Sequence, residues 1–250
     1  MQLYQSNILK NFANVSHAFT AKNGGVSIKP YSSLNLAFHV NDDEKSVRQN
    51  HQLLANKLGY DYKKVVHMKQ IHSNIVHTVT QSDDFNNPPT CDALITDKKN
   101  TPLMVMVADC TPLLFYDPTN EVIAVAHAGR TGAFTNIVQN VVDSFKNDYK
   151  SEVKNICVAI GSSIGVCCYE VGREIYEEAK KLKLEYAIEK RGKSYFLDVN
   201  KILLAQLLEA GVKKENIENI GVCSSCHKEE FFSYRAEGVT GRFGGVITLL

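Results

Sequence analysis

The segment from Met104 to Gly132 reads MVMVADCTPLLFYDPTNEVIAVAHAGRTG, which is three apolar runs separated by short polar stretches. Runs of this length and β-branched content predict three strands, and the turn residues DPTN join the last two as antiparallel neighbours. Asp109, Cys110 and His127 interrupt this apolar sequence. Because an unpaired polar group in a buried sheet costs about 1–3 kcal/mol, these side chains are either satisfied structurally or form a functional site.

The sequence on both sides of this segment alternates between strand-like and helix-like patterns. Further strands are predicted at NIVHTV, CDALIT, ICVAIG, IENIGVC and GGVITLL, and YSSLNLAFHVNDD is expected to be a strand that ends in a loop. Helices are predicted at NDDEKSVRQNHQLLANKLG (starting at Asn41 or Asp42 and ending at Gly59), FTNIVQNVVDSFKNDY, YEVGREIYEEAKKL and DVNKILLAQLLEAG. These elements predict an α/β (α+β) fold, a single domain over residues 1–250 with a mixed β-sheet sandwiched between layers of helices.

Composition excludes several classes of protein. The 250 residues are 44% hydrophobic and 22% charged, with a net charge of +1. This balance gives no basic surface for nucleic acid and no polybasic segment for a membrane. The first residues lack the apolar core of a signal peptide, and no apolar run approaches the roughly 20 residues of a membrane span. A cytoplasmic location is therefore expected, in which the seven cysteines are buried, metal-bound or catalytic rather than bridged.

Three polar positions share one pattern, a His or Cys at the end of an apolar run followed by small or turn residues. They are His72 in KQIHSN, Cys110 in VADCTP and His127 in VAHAGR. Their long separations along the chain do not match a local zinc motif, so they must converge through the fold. Two histidines and one cysteine suit a zinc ion with an open fourth position, and they equally suit a Cys–His pair for nucleophilic catalysis.

Other histidines and cysteines have simpler interpretations. A His inside an apolar strand is usually a hydrogen-bonded core residue, and five receive that interpretation: His17, His39, His51, His67 and His77. The stretch CSSCH, Cys223 to His227, matches haem attachment or half of a zinc ribbon. Because a second CxxC is missing, it is expected to be structural and to hold no metal.

A set of motifs in chain order resembles a known family. GGVS, YSSLNLAFHVNDD, QIHS, CDALITD, VADCTPLLFYD, AHAG, IGSSIGVCCYEVG and FFSYRAEGVTGR together resemble the YfiH-type family, also called the laccase-domain or multicopper polyphenol oxidase family. The matches run from about Gly24 to Arg242. The resemblance implies one zinc ion held by His72, Cys110 and His127.

The resemblance also implies an activity. Members of the family phosphorolyse adenosine, inosine and methylthioadenosine and deaminate adenosine, so purine nucleosides and phosphate are the expected partners. An older assignment made them copper-dependent oxidases of phenols, but multicopper sites need more histidines than these three loci provide, which leaves copper as the weaker alternative. The fold also resembles toxins that hydrolyse amides with a Cys–His pair. That alternative is a metal-free thiol hydrolase using Cys110 and His127, and a third is a protein that binds a nucleoside without turnover.

Four further residues are candidates for the site. Arg235 and Arg242 in YRAEGVTGR are expected to bind phosphate, because a guanidinium matches phosphate oxygens; their alternative role is a salt bridge that ties down the C-terminal loop. Asp109 is expected to act as a general base or, as the better interpretation, to orient a zinc ligand. Arg130 stands where the family has Trp, in a chain without tryptophan. It offers a charge to phosphate in place of an aromatic surface, unless it lies in a surface ion pair.

Overall fold

The computed structural model describes all 250 residues. Its thirteen strands are β1 (Leu3–Tyr4), β2 (Val15–Thr20), β3 (Val76–Thr78), β4 (Ala93–Thr96), β5 (Leu103–Val107), β6 (Thr111–Asp117), β7 (Val122–Ala128), β8 (Cys157–Ile160), β9 (Glu170–Val171), β10 (Ile188–Arg191), β11 (Ser194–Leu197), β12 (Ile217–Asn219) and β13 (Phe243–Leu249). Its six α-helices are α1 (Glu44–Leu58), α2 (Arg130–Phe134), α3 (Ile137–Tyr149), α4 (Arg173–Lys181), α5 (Val199–Glu209) and α6 (Tyr234–Glu237). None of the helices combines the length and the apolar character that crossing a bilayer requires.

The strands form three sheets, two of which stack on each other. The central six-stranded sheet has the order β12-β8-β6-β7-β4-β3, and the four-stranded sheet has the order β1-β2-β13-β5. The central sheet is mixed, because β12 pairs with β8 and β3 pairs with β4 in parallel while its other pairs are antiparallel. A small third sheet, β10-β11-β9, packs through Leu197 on the apolar cluster that one face of the central sheet forms with α3 and α5.

Three apolar clusters hold the layers together. One face of the central sheet packs on α3 and α5, and its other face packs on the four-stranded sheet through residues such as Leu114 and Phe243. The outer face of the four-stranded sheet is covered by α1 and the segment before it. The expected mixed α/β fold is confirmed, and the structure adds that two stacked sheets, rather than one, lie between the helices. The single domain over residues 1–250 stays a prediction.

The predicted helices are present, with shifted boundaries. The first begins after Asp43, whose carboxylate accepts a hydrogen bond from Ser46 N at 2.9 Å, and it ends at Gly59 in a left-handed conformation as predicted. Asn136, at φ 56°, separates α2 from α3 and so divides the helix expected over FTNIVQNVVDSFKNDY. A left-handed residue cannot continue a right-handed helix, so a new helix, α3, begins after Asn136. The side chain of Asn136 accepts a hydrogen bond from Gln139 N and so caps the start of α3.

The prediction of a strand at YSSLNLAFHVNDD is wrong. Leu34, Leu36 and Ala37 are fully buried, but this segment runs irregularly between α1 and the four-stranded sheet. Its backbone groups are satisfied by side chains rather than by a neighbouring strand, as where Asn50 donates to the Asn35 carbonyl. An apolar run therefore indicated burial correctly without specifying a strand. The strands β1, β2, β9, β10 and β11 were not predicted, and β9 occupies the start of the segment YEVGREIYEEAKKL that was expected to be helical.

Candidate active site and metal centre

A cavity of about 430 Å³ opens where β5, β6 and β7 meet. All seven residues predicted from the sequence as site residues line it: His72, Asp109, Cys110, His127, Arg130, Arg235 and Arg242. Its volume falls in the range of about 300–1,000 Å³ that is typical of sites for small molecules. The cavity therefore has the size and the lining of a site for a small molecule.

Two histidines and a cysteine meet in this cavity, and we call them the His–Cys–His cluster (His72, Cys110 and His127). Cys110 directly precedes β6 and His127 lies at the end of β7, and the antiparallel pairing of Pro112 with His127 brings them side by side. The ligand atoms of the three residues all lie within 4.8 Å of one another, and Cys110 Sγ is 3.8 Å from His72 Nε2. Residues far apart in sequence thus converge as the sequence predicted.

A buried carboxylate organises this cluster. Asp92, which is fully buried, accepts a hydrogen bond from His127 Nδ1 at 2.8 Å. It also accepts from the backbone N–H groups of Ile71, His72 and Ser73 at 2.6–3.2 Å. These bonds hold His72 in a left-handed conformation, φ 60°, and leave His127 Nε2 free to face the cavity. A carboxylate behind a histidine is how proteins fix the orientation of a metal-binding imidazole.

Asp92 was missed in the sequence, and Asp109 was assigned the orienting role instead. The Asp109 carboxylate accepts from Ser224 Oγ at 2.7 Å and from Arg235 N at 2.6 Å, so it joins two loops of the cavity wall. The carboxylate bound to His127 is that of Asp92. The available signal was the motif CDALIT, in which an acidic residue stands directly before a fully buried strand.

The charges of Cys110 and His127 depend on each other. Burial raises the pKa of the Cys110 thiol, whereas the His127 imidazolium and hydrogen bonds from both histidines lower it, and its pKa is about 6 rather than 9.0. Burial lowers the pKa of His127, whereas the Cys110 thiolate and the Asp92 carboxylate raise it to about 9. The pair is therefore a thiolate and an imidazolium near neutral pH. A thiolate is both the form that binds metal and the form that attacks as a nucleophile.

Gly129 leaves room beside the cluster. A Cβ atom placed on Gly129 would lie 2.9 Å from Cys110 Sγ and 3.2 Å from a His72 ring carbon, so any larger residue there would crowd Cys110 and His72. Two imidazoles and one thiolate are a donor set that zinc accepts, with a fourth position open to water or substrate. The cluster is compatible with a bound metal on these grounds.

The three arginines of the cavity differ in how their charge is used. Arg242 Nη1 donates to the Thr240 and Gly241 carbonyls at 3.0 Å, and Arg235 donates to the Cys168 and Glu170 carbonyls at 3.1 and 3.0 Å. Neither forms an ion pair, so the alternative of a salt bridge tying down the C-terminal loop does not hold. Arg130 does form one, with Glu178 at 2.8 Å.

The cavity wall includes residues that the sequence did not single out for it. His39, which was expected to be a core histidine, lines the cavity and is exposed. Tyr169 also lines it and lies under the Arg235 guanidinium at 5.2 Å from the ring centroid. Gln70 donates to and accepts from Met106, which fixes the end of β5. His17, His51 and His67 are buried and hydrogen-bonded outside the cavity, as expected. His77 was expected to be a core histidine, but it is only partly buried and bonds Asp83 at 2.8 Å.

Comparison with known proteins identifies the family. Residues 16–250 match the model of the family described as multi-copper polyphenol oxidoreductase laccase. The chain belongs to this family. A solved structure of the YfiH-type family, the hypothetical protein YfiH from Bacillus licheniformis, superposes with a TM-score of 0.90 at 33% identity, covering 94% of this chain and 93% of that one.

Relatives of the same family carry the name purine nucleoside phosphorylase. YlmD of Bacillus subtilis is 33% identical over 93% of this chain and 88% of its own length. A protein of Corynebacterium glutamicum with the same name is 37% identical over 94% of both chains. The structure of YlmD from Geobacillus stearothermophilus superposes with a TM-score of 0.87 at 32% identity, covering 95% of this chain and 93% of that one.

Proposed function

We propose that this chain is a zinc-dependent purine nucleoside phosphorylase acting on adenosine, inosine and methylthioadenosine, with adenosine deaminase activity. The observation that carries the proposal is the convergence of His72, Cys110 and His127 in a cavity that also contains two arginines without carboxylate partners. The names of the relatives support purine nucleosides and phosphate as substrates. We assign the zinc ion to the His–Cys–His cluster, with copper as the weaker alternative.

Phosphorolysis requires a cationic pocket for phosphate next to the nucleoside. A phosphate oxygen attacks the anomeric carbon while the bond to the purine nitrogen breaks, so the base leaves with the electron pair. In this proposal Arg242 and Arg235 hold the phosphate, because a forked guanidinium donor matches phosphate oxygens. Tyr169 offers an aromatic side chain for the base in the same cavity, where the family's tryptophan is replaced by Arg130.

Deamination uses water instead of phosphate. A zinc ion at this site would supply Lewis acidity and lower the pKa of water. Within the chain, Asp92 would hold His127 in the tautomer that presents Nε2 to the metal, and the low pKa of Cys110 would keep its sulfur as a thiolate ligand. Asp109 would act as a positioning residue that keeps the loops bearing Ser224 and Arg235 against the cavity.

The proposal is tested with the purified protein and inosine. We expect release of hypoxanthine that depends on added phosphate, and release of inosine from adenosine in phosphate-free buffer. Cys110→Ala should abolish both reactions, whereas His227→Ala, at an exposed histidine outside the cavity, should leave both unchanged. Binding of inosine without any turnover, with or without phosphate, would overturn the proposed enzyme in favour of a nucleoside-binding protein.

A second candidate function, a metal-free thiol hydrolase, is favoured by one observation. Cys110, His127 and Asp92 form a thiolate, imidazolium and carboxylate in series, which is the arrangement of a cysteine nucleophile with its base and orienting group. Alkylation by iodoacetamide distinguishes the two functions. A zinc enzyme protects Cys110 until the metal is removed, whereas a metal-free hydrolase is alkylated at Cys110 and inactivated at the same rate with or without zinc.

A further inference from the structure

Four cysteines from two distant segments meet at the surface beside the cavity, and we call them the four-cysteine cluster (Cys167, Cys168, Cys223 and Cys226). Their sulfur atoms all lie within 4.8 Å of one another. Cys226 Sγ is 3.5 Å from Cys167 Sγ and 3.3 Å from Cys168 Sγ, and all four are free thiols. In sequence the second pair is an isolated CxxC, but its partners are the adjacent cysteines of GVCCYE.

The topology of the central sheet explains this meeting. The strands β8 and β12 are parallel neighbours, so the chain leaves both of them at the same edge of the sheet. Beyond the strands the pairing continues, with a bridge between Ser163 and Cys223 and a hydrogen bond from Ser224 N to the Ser163 carbonyl at 2.9 Å. The two loops therefore face each other over the whole cluster.

The spacing of the sulfur atoms fits one tetrahedral metal ion. Zinc–sulfur bonds of about 2.3 Å in a tetrahedron place the sulfur atoms about 3.8 Å apart, within the range found here. A disulfide would instead need about 2.05 Å between two of them. An iron–sulfur cluster would need wider spacing, because several iron atoms lie between its cysteines.

The surroundings of the cluster suit thiolates. Gly165 N donates to Cys223 Sγ at 3.2 Å, a backbone contact that stabilises negative charge on sulfur. The Arg235 guanidinium donates to the Cys168 carbonyl at 3.1 Å and so places a positive charge beside the same loop. Four thiolates around a divalent cation carry a net negative charge, which these donors offset.

We propose that the four-cysteine cluster binds a second zinc ion, a structural one with all four positions occupied by protein ligands. On binding, each thiol gives up its proton to solvent and its sulfur bonds to zinc, with no change in oxidation state. This ion fixes the wall of the cavity, because Tyr169 follows Cys168 directly and Ser224, which donates to Asp109, lies between Cys223 and Cys226. The expectation that CSSCH holds no metal is replaced by this proposal.

The first test uses the wild-type protein purified without added metal. We expect about two zinc ions per chain. The X-ray absorption spectrum at the zinc edge should contain a component with four sulfur ligands at about 2.3 Å. Cys167 and Cys226 are exposed, so as free thiols they would react with iodoacetamide at alkaline pH, where their thiolates form, and the labelling is done there. Their protection until a chelator is added supports the proposal. Rapid labelling of both before chelation, or a disulfide within the cluster, overturns it, and iron in place of zinc overturns the choice of metal.

The second test separates this site from the proposed active site. Cys226→Ser should lower the zinc content to about one ion per chain, and so should Cys110→Ala, but each through loss of a different ion. In Cys226→Ser the remaining ion should lack the four-sulfur spectrum, whereas in Cys110→Ala the remaining ion should retain it. The matched control, His227→Ala beside the cluster, should keep both ions. Equal zinc contents in Cys226→Ser and wild type would overturn the proposal whatever the fate of the active-site ion.

Discussion

The His–Cys–His cluster and the four-cysteine cluster both gather metal-binding side chains from distant parts of the chain, yet they are built differently. The first lines a cavity, has three ligands and is backed by the buried carboxylate of Asp92. The second lies at the surface, has four ligands of one kind and is supported by backbone donors such as Gly165 N. Three ligands leave a position for substrate, whereas four close the coordination sphere. If both clusters bind zinc as proposed, ligand number and access, rather than ligand type, assign the first cluster to chemistry and the second to structure.

The largest effect is expected from removing a ligand of the His–Cys–His cluster. Ala at His72, Cys110 or His127 should abolish phosphorolysis and remove one zinc ion, because the remaining two side chains cannot hold the metal in an active arrangement. Cys226→Ser should retain measurable activity. Hypoxanthine release and metal analysis on the same preparations check both statements. A Cys110→Ala protein with both ions bound would refute the assignment of this ligand.

Removing the carboxylate behind the cluster should have the next largest effect. Asp92→Asn weakens the bond to His127 Nδ1 and disturbs the turn that carries His72, so the affinity for zinc should fall about 10–100-fold at the active site. Competition with a zinc chelator measures this affinity. Asp109→Asn is the matched control, because its carboxylate contacts Ser224 and Arg235 rather than a histidine. An equal loss of zinc affinity in Asp92→Asn and Asp109→Asn would show that Asp92 does not orient a metal ligand.

Arg242 should matter for phosphate rather than for the nucleoside. Loss of one charge-assisted contact costs about 1.5–3 kcal/mol, so Arg242→Ala should raise the KM for phosphate roughly tenfold to a hundredfold. The KM for inosine and the rate of adenosine deamination should change much less. Steady-state kinetics with each substrate varied separately decide this, with Arg173→Ala on the exposed face of α4 as the control. A parallel rise in both KM values would mean that Arg242 supports the cavity wall instead.

The pH dependence of thiol labelling should distinguish the two clusters after the metal is removed. Cys110, with a pKa of about 6, should lose its reactivity only as the pH falls below that value. Contacts with the Cys168 thiol hold the pKa of Cys226 above 9.0, so its labelling should keep rising into the alkaline range. Labelling of each cysteine at a series of pH values, followed by peptide mass spectrometry, gives both midpoints. A common midpoint would show that His127 does not stabilise the Cys110 thiolate.

The smallest effect is expected at Arg130. Its guanidinium is held by Glu178, and the two side chains are 31% and 46% exposed, so the ion pair is a weak one that draws the charge away from the cavity. Arg130→Ala should therefore raise the KM for phosphate by less than about threefold, well below the change for Arg242→Ala. Glu178→Gln frees Arg130 and should leave that KM unchanged or lower it. A tenfold rise in the KM for phosphate in Arg130→Ala would instead show that Arg130 binds phosphate.

The sequence by itself determined the apolar strands around Met104 to Gly132 and the three candidate ligands of the cavity. His72, Cys110 and His127 each ended an apolar run, and that local pattern is visible without any knowledge of the fold. The polar positions were therefore predictable, together with the mixed α/β class.

Only the tertiary structure decided which polar groups meet. Asp92 lies 35 residues from its partner His127, and Cys226 lies 58 and 59 residues from Cys168 and Cys167. No local pattern encodes these contacts, because the pairing and direction of strands in the sheets set them. The same reason explains why Asp109 was given the orienting role that the structure gives to Asp92. Residue type limits the chemistry that a side chain can perform, and the fold decides which other side chains it meets to form a site.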